Sequence, residues 1–403
     1  MSTKKISYGK NIYNYKEINA VLRQLRKTTQ MGEAVNTFEK KIAILFSKKY
    51  GLMVNSGSSA IILALKVLNF PKGSEIITPC LNFGTAVSSI MLCDLKPIFV
   101  DCEIETLQID PKKIEQKITN KTKALMIPNL IGNIPDWKQI KKIAKKHKLK
   151  IIEDSADTLG ASINKKSTGI YSDLSITSFY GSHVISCAGN GGIFLTNSKD
   201  LHSKAKVLRS WGRMSTLIKD SENIDKRLGI KLKGIEYDRK FIFSEVGYNF
   251  EPSEIGASFG LEQLKKLKYF TKIRNKNYML HYNFFSKLRE YFILPKMNKG
   301  VKTNFLAYPI ILKKNKRFSK KNLQIFLEKN NIQTRPIFTG NILRHPAFAP
   351  LTSNRNKLNN FKCSDYIMRN GLLIGCHQGL SSKNVFQIHK MITKFLKSKK
   401  IFF

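Results

Sequence analysis

The stretch IIEDSADTLGA, residues 151–161, runs from an apolar segment into two consecutive carboxylates, Glu153 and Asp154, and then turns through small and polar residues. A short apolar run bounded by turn signals reads as a buried strand. In an open α/β sheet, ligands bind outside the C-terminal ends of the strands. A carboxylate there can hold a protonated ring nitrogen, and it can equally cap the helix that follows. Upstream, residues 52–54, 75–78, 97–100, 124–127 and 150–152 are short apolar runs separated by helical or turn-rich sequence. VNTFEKKIAILF (35–46) puts Val35, Phe38, Ile42 and Leu45 near one helical face. Strands alternating with helices predict an α/β domain around a largely parallel sheet.

Downstream, the pattern loosens between about 203 and 250 into a charged, irregular insertion that includes KDSENIDKRLGIKLKGIEYDRK. A helix is predicted from Glu254 to about Tyr269. Beyond it the order is helix, strand (306–311), helix, strand, helix. The 403 residues therefore divide into a large α/β domain over 1–264 and a smaller C-terminal α+β domain over 265–403. No linker rich in Pro, Gly or Ser separates them, which predicts close packing between the two.

Composition narrows the function classes. With 42% hydrophobic and 10% aromatic residues, the chain is too apolar to be disordered. No window approaches the roughly 18 apolar residues of a bilayer span, and MSTKKISYGK lacks an apolar stretch behind its charges, so a cytoplasmic protein is expected. Cys80, Cys93, Cys102, Cys187, Cys363 and Cys376 include no CxxC or CxC pair, so they carry no zinc, redox or iron-sulfur signature. His147, His202, His281, His377 and His389 have no paired ligand spacing, and no metal site is expected. The net charge of +42 raises nucleic acid or acidic lipid as partners. The lysines are spread in short runs such as KKIAKKHKLK (141–150), without a dense basic tail, which favours a generally basic surface suited to phosphorylated small molecules.

Two further stretches carry chemistry. NSGSS (55–59) falls between a strand and a helix, where free N–H groups and the positive end of the helix dipole would hold a phosphate. SFYGSHVISCAGNGGIFLTN (178–197) joins it and the first stretch in a recognisable order with YGKNIYNYKEI, VNSGSSAIILAL, EIITPCLNFGTAVSSI, PIFVDCEIETLQID and GYNFEPSEIGASFGLEQLKKL. Together they resemble the sugar-nucleotide aminotransferase (DegT/DnrJ/EryC1/StrS) family of pyridoxal phosphate (PLP) enzymes, from about residue 8 to the end.

The resemblance implies a type I, aspartate-aminotransferase-like fold, with a large mixed, mostly parallel sheet and a small C-terminal α+β domain. It also implies a homodimer with active sites at the subunit interface, and PLP or its amine form PMP as cofactor. By it, Gly57, Ser58 and Ser178 would bind the cofactor phosphate, with Asn249 reaching it from the neighbouring subunit. Phe83 would cover the ring and Asp154 would pair with the ring nitrogen. Asp157 stands where the usual members often carry Gln or His near the ring hydroxyl.

The informative departure is His183, which stands where transaminating members have the lysine that holds the cofactor covalently. Ser178-Phe179 before it and Gly189-Asn190-Gly191-Gly192 after it fix the register, and no lysine lies between Lys166 and Lys199. An imidazole cannot form that bond, so noncovalently held PMP is the expected working form. With an ordinary pKa of about 6.5, the ring can serve as base and then acid. This substitution resembles the family's 3-dehydratases, which remove the 3-hydroxyl from 4-keto-6-deoxy sugar nucleotides. One kind carries a cysteine-ligated iron-sulfur cluster, but the 203–262 segment where its ligands gather contains no cysteine. The better match is the kind without a cluster, which acts on a GDP-linked sugar and recharges PMP from L-glutamate.

Arg213, Arg335, Arg344 and His345 are candidates for the diphosphate or sugar, because arginine forks match phosphate oxygens. For each arginine a surface salt bridge is the competing reading. Trp211 and Phe338 are candidates for the sugar pocket. Two other functions compete: an aminotransferase that leaves nitrogen on the sugar, and a noncatalytic protein of the same fold acting as a regulator or nucleic-acid binder.

Overall fold

The computed structural model describes residues 5–402 except 219, 221 and 229, three positions of the expected insertion. Seven strands form its main sheet: β1 (Tyr50–Val54), β2 (Glu75–Pro79), β3 (Lys96–Val100), β4 (Thr122–Pro128), β5 (Lys150–Asp154), β6 (Leu174–Ser178) and β7 (Gly192–Thr196). Their order is β1-β7-β6-β5-β4-β2-β3. β7 runs antiparallel to both neighbours, and every other pairing is parallel. Strands covered on both faces read as unbroken apolar runs rather than alternating ones. This is why IIT in β2 and IFL in β7 are wholly buried.

The helices around the sheet are α1 (Tyr15–Leu25), which packs on the later helix Glu254–Lys265, and α2 (Glu33–Leu45), α3 (Gly57–Val67), α4 (Gly84–Leu92), α5 (Trp137–Lys146) and α6 (Lys199–Arg209), which cover it. Alternation along each strand sorts its side chains between the two faces. Leu52, Val54 and Phe194 pack with Ile61 and Leu65 of α3. Met53, Ile193 and Leu195 face Phe38 and Ile42 of α2. On α5, Trp137 and Ile140 cover Ile127 and Ile151.

Two expectations are revised. The insertion is more regular than its charge pattern suggests, since α6 takes 199–209 and Ile230–Leu232 pairs with Ile235–Tyr237 as a hairpin. The helix expected over 254–269 is two helices, Glu254–Lys265 and Leu267–Phe285, with Lys266 between them. The C-terminal part builds a four-stranded antiparallel sheet in the order Phe292–Ile293, Ala307–Leu312, Gly371–Gly375, Thr334–Pro336. The two parts are tied by buried polar contacts. Asp101, just past β3, accepts from Cys363 N (2.8 Å), Ser364 N (3.0 Å) and Ser364 Oγ (2.7 Å) at the start of helix Lys362–Asn370. Asn356 accepts from Phe99 N and donates to Pro97 O, both at 3.1 Å.

Candidate active site

At the C-terminal ends of β4, β5 and β6, facing the start of α3, a cavity of about 450 Å³ opens. One end is built for an anion. Ser56 caps α3 by accepting from Ser59 N at 3.1 Å, which leaves the first-turn N–H groups of Gly57 and Ser58 at the cavity wall. Ser178, the last residue of β6, lies so near that a Cβ on Gly57 would stand 2.7 Å from Ser178 Cβ and 3.1 Å from its Oγ. Only glycine leaves that cradle open. Ser58 Oγ donates to Thr85 Oγ1 at 3.1 Å, adding a second hydroxyl. Helix N-terminus, glycine and hydroxyls together form an anion site.

The other end is acidic. Asp154 ends β5 and accepts from Ala156 N at 2.9 Å. Asp157 accepts from Ile131 N at 2.7 Å. That donor is aimed by a left-handed backbone at Ile131 (φ +60°), a conformation a β-branched residue rarely adopts. Burial pushes the Asp154 carboxyl up to about 6, with Glu153 next to it adding to the rise. Burial also pushes Asp157 up to about 7, with Asp154 adding to it. Two carboxyls in one desolvated cavity resist joint ionisation, and a cation set between them would relieve both.

His183 sits on the loop between β6 and β7. Its Nδ1 is 3.3 Å from Ser178 O, and since a carbonyl only accepts, Nδ1 carries the proton and Nε2 is left as the free base. Burial pushes the imidazole down to about 4; the Ser178 contact opposes this and Arg274 adds to it. The ring is therefore neutral near pH 7. Among the described residues no lysine lines the cavity.

The structure brings Gly57, Ser58, Phe83, Asp154, Asp157, Ser178 and His183 into one cavity. Phe83 is 55% exposed, with one edge against Phe338, which also lines the cavity. The remaining sequence candidates lie outside it. Asn249 is exposed on its own chain, and its carbonyl accepts from Asn55 Nδ2 at 3.3 Å. Arg213 stacks on Trp211, 4.0 Å from the ring centre. Arg335 stands 5.9 Å from the ring centre of Tyr8, which does line the cavity. Arg344 is forked onto Asp365 through Nε and Nη2, both at 2.5 Å, so the salt-bridge reading describes its contacts here. His345 Nε2 is 2.8 Å from Thr339 O. Sequence reasoning missed Tyr8, Asn82, Thr85, Tyr180 and Asn190 as lining residues. All five fall inside stretches already quoted for the resemblance, so proximity to those motifs was the available signal.

This arrangement of anion cradle, paired carboxyls and neutral imidazole at the strand ends suits a phosphorylated, cationic-ring cofactor. The profile of the DegT/DnrJ/EryC1/StrS aminotransferase family matches residues 12–393, and the chain belongs to that family. Within it, the chain is 32% identical over 371 residues to the GDP-4-keto-6-deoxy-D-mannose 3-dehydratase of Escherichia coli O55:H7, covering 90% of this chain and 92% of that one. It is also 32% identical over 379 residues to the dTDP-4-dehydro-2,6-dideoxy-D-glucose 3-dehydratase of Saccharopolyspora spinosa, covering 91% and 80%. A crystal structure of GDP-4-keto-6-deoxymannose-3-dehydratase with a trapped PLP-glutamate geminal diamine is 28% identical, with a TM-score of 0.84 over 96% of this chain and 99% of that one. The fold is accordingly that of the PLP-dependent type I enzymes.

Proposed function

We propose that this chain is a PLP/PMP-dependent 3-dehydratase that removes the C3 hydroxyl from a nucleotide-linked 4-keto-6-deoxyhexose, GDP-4-keto-6-deoxymannose, with L-glutamate restoring the cofactor amine. The observation that carries this reading is His183: a neutral imidazole with a free Nε2 lines a PLP-type cavity that no lysine lines, among the described residues. The family's relatives with 3-dehydratase activity, and the glutamate adduct in a solved relative, support the substrate class and the amine donor.

When bound, the cofactor supplies an amine for the sugar ketone and a conjugated ring that accepts electrons. Gly57, Ser58 and Ser178 would hold its phosphate, Asp154 would keep the ring nitrogen protonated, and Phe83 would cover the ring face. Asp157 would donate or accept at the ring edge. His183 Nε2 would take a proton from the carbon bearing the cofactor nitrogen and, once charged, deliver it to the departing C3 oxygen. Without a lysine the cofactor is held noncovalently.

Arg213, Arg335, Arg344 and His345 are the proposed contacts to diphosphate and sugar, Arg344 while its Nε and Nη2 hold Asp365. We infer a homodimer as well. Tyr15, Ile18, Leu22 and Leu25 leave one stripe of α1 open, and the insertion exposes Phe241, Phe243 and Val246, the last at 95%. Exposed apolar side chains in such numbers suit an association face. An exposed Asn249 next to that insertion is free to reach a neighbouring subunit's cofactor phosphate.

The test is mass spectrometry of products from purified protein with PLP, L-glutamate and GDP-4-keto-6-deoxymannose. Loss of one oxygen from the sugar nucleotide, matched by 2-oxoglutarate and ammonia, is the expected result. An amine in place of the ketone would make the chain an aminotransferase.

A further inference from the structure

Arg274, in helix Leu267–Phe285, is fully buried. Its Nε donates to Gln378 Oε1 at 2.7 Å, Nη1 to Phe305 O (2.8 Å) and Leu306 O (3.2 Å), and Nη2 to His183 O (3.2 Å). The partner amide also reaches the catalytic loop, since Gln378 Nε2 donates to Val184 O at 3.4 Å. A buried guanidinium ordinarily pairs with a carboxylate, because an uncompensated charge is costly to desolvate. Here each hydrogen-bond partner is neutral: one amide and three carbonyls. The fork therefore satisfies its geometry while leaving its positive charge unneutralised behind the loop of His183.

We propose that Arg274 and Gln378 are positioning residues for His183: their fork fixes the loop that carries the imidazole and sets a fixed positive charge behind it, so that the ring waits as an uncharged base. This rests on the dehydratase reading for the role of His183. Arg274 is the charge that acts on the imidazole from the C-terminal part. The other titratable groups around it are Tyr180 on its own loop, 5.9 Å between ring centres, and Asp154, Asp157 and Tyr8 across the shared cavity. Burial and Arg274 both disfavour a charged imidazole, and the Ser178 carbonyl opposes them. Neutral Gln378 leaves that charge uncancelled, because a glutamate there would still accept from Arg274 Nε but cancel its charge, giving up only the 3.4 Å donation to Val184 O.

The experiment uses the full chain with isotopically labelled histidine, followed by NMR from pH 3.5 to 8, with His183→Asn to assign the resonance. Gln378→Glu keeps an acceptor for Arg274 but neutralises it, and the His183 midpoint is expected to rise by about one unit or more. Arg274→Lys keeps the charge but not the fork; the midpoint is expected to stay while kcat for deoxygenation falls about tenfold through misplacement of the ring. A natively folded Gln378→Glu chain with an unmoved midpoint would overturn the electrostatic part. Unchanged kcat in Arg274→Lys would overturn the positioning part. If the wild-type chain deoxygenates no sugar nucleotide, the functional reading fails, and the Gln378→Glu midpoint still decides for or against the charge.

Discussion

At the scale of single residues, the chemistry turns on His183 and on the room left at Gly57. Because Nδ1 is committed to Ser178 O, only Nε2 can exchange a proton with substrate. His183→Asn keeps a polar side chain of similar reach and removes the base, so turnover should fall by roughly 10²- to 10⁴-fold while PLP still binds. Steady-state rates and a PLP absorbance titration on the same preparation check both halves. Gly57 tests the opposite end of the cavity. A methyl there would press on Ser178 Cβ at 2.7 Å, and overpacking of this kind costs about 1–3 kcal/mol. Gly57→Ala should therefore weaken PLP binding by roughly tenfold or more with little change in fold, read from the same titration and a far-UV spectrum.

At the scale of elements, one carboxylate sets the register between two helices. α2 is preceded by Gly32 at its N-cap, which has no side chain to cap it. Glu254, in the first turn of the helix Glu254–Lys265, supplies the cap from outside by accepting from Gly32 N (2.9 Å), Ala34 N (2.5 Å) and Val35 N (3.1 Å). Glu254→Gln turns one accepting oxygen into a donor facing those N–H groups. Leaving a buried donor unmatched costs about 1–3 kcal/mol, so Tm should drop in a thermal melt while the cavity residues keep their places. The seven-stranded sheet was largely legible because five of its strands, buried on both faces, announce themselves as apolar runs. β7 was less so, because it lies inside SFYGSHVISCAGNGGIFLTN, which reads first as a site, and so was β6, because its LSITS alternates apolar and polar residues instead of forming an apolar run. Asp154 and Gly57 were legible because one ends an apolar strand and the other opens a helix at the sheet's ligand edge, whereas Ser178 came only with the family resemblance. Arg274 was not, for it enters from a remote segment whose spacing carries no periodic signal, and Tyr8, although inside a quoted motif, has no strand end or helix start to mark it. The fork of Arg344 on Asp365, 21 residues on, is likewise set by tertiary packing that no local pattern encodes.

At the scale of the whole molecule, the buried titratable groups predict an acid-labile fold, and the sign can be worked out. Burial pushes His183, His202, His377 and His389 down to about 4 and His281 to about 3. His281 and His389 are also locked together, Nδ1 to Nε2, at 3.0 Å in the C-terminal core. Each such histidine binds a proton in the unfolded chain below about 6.5 but not in the folded one until near 4, so its contribution is present above 6.5 and is lost as pH falls. Asp154 and Asp157 act in the opposite sense. Raised to about 6 and 7, they favour the folded state at low pH and withdraw that support as pH rises through those values. Between pH 4 and 6.5 these five histidines therefore release protons on folding while the two aspartates take them up, and the histidines prevail. The net charge of +42 acts in the same direction, because every proton taken up at low pH adds to self-repulsion. Urea unfolding of the cofactor-free chain at fixed ionic strength should thus show stability rising from pH 4.5 to 6.5 and levelling near 7. A His281→Gln, His389→Leu double variant, if folded, should flatten that rise, since it removes two of the five proton-binding sites of the unfolded chain. A stability curve that falls over the same interval would mean that the two aspartates outweigh the histidines, and that the site's carboxyls rather than the C-terminal core govern the fold's response to acid.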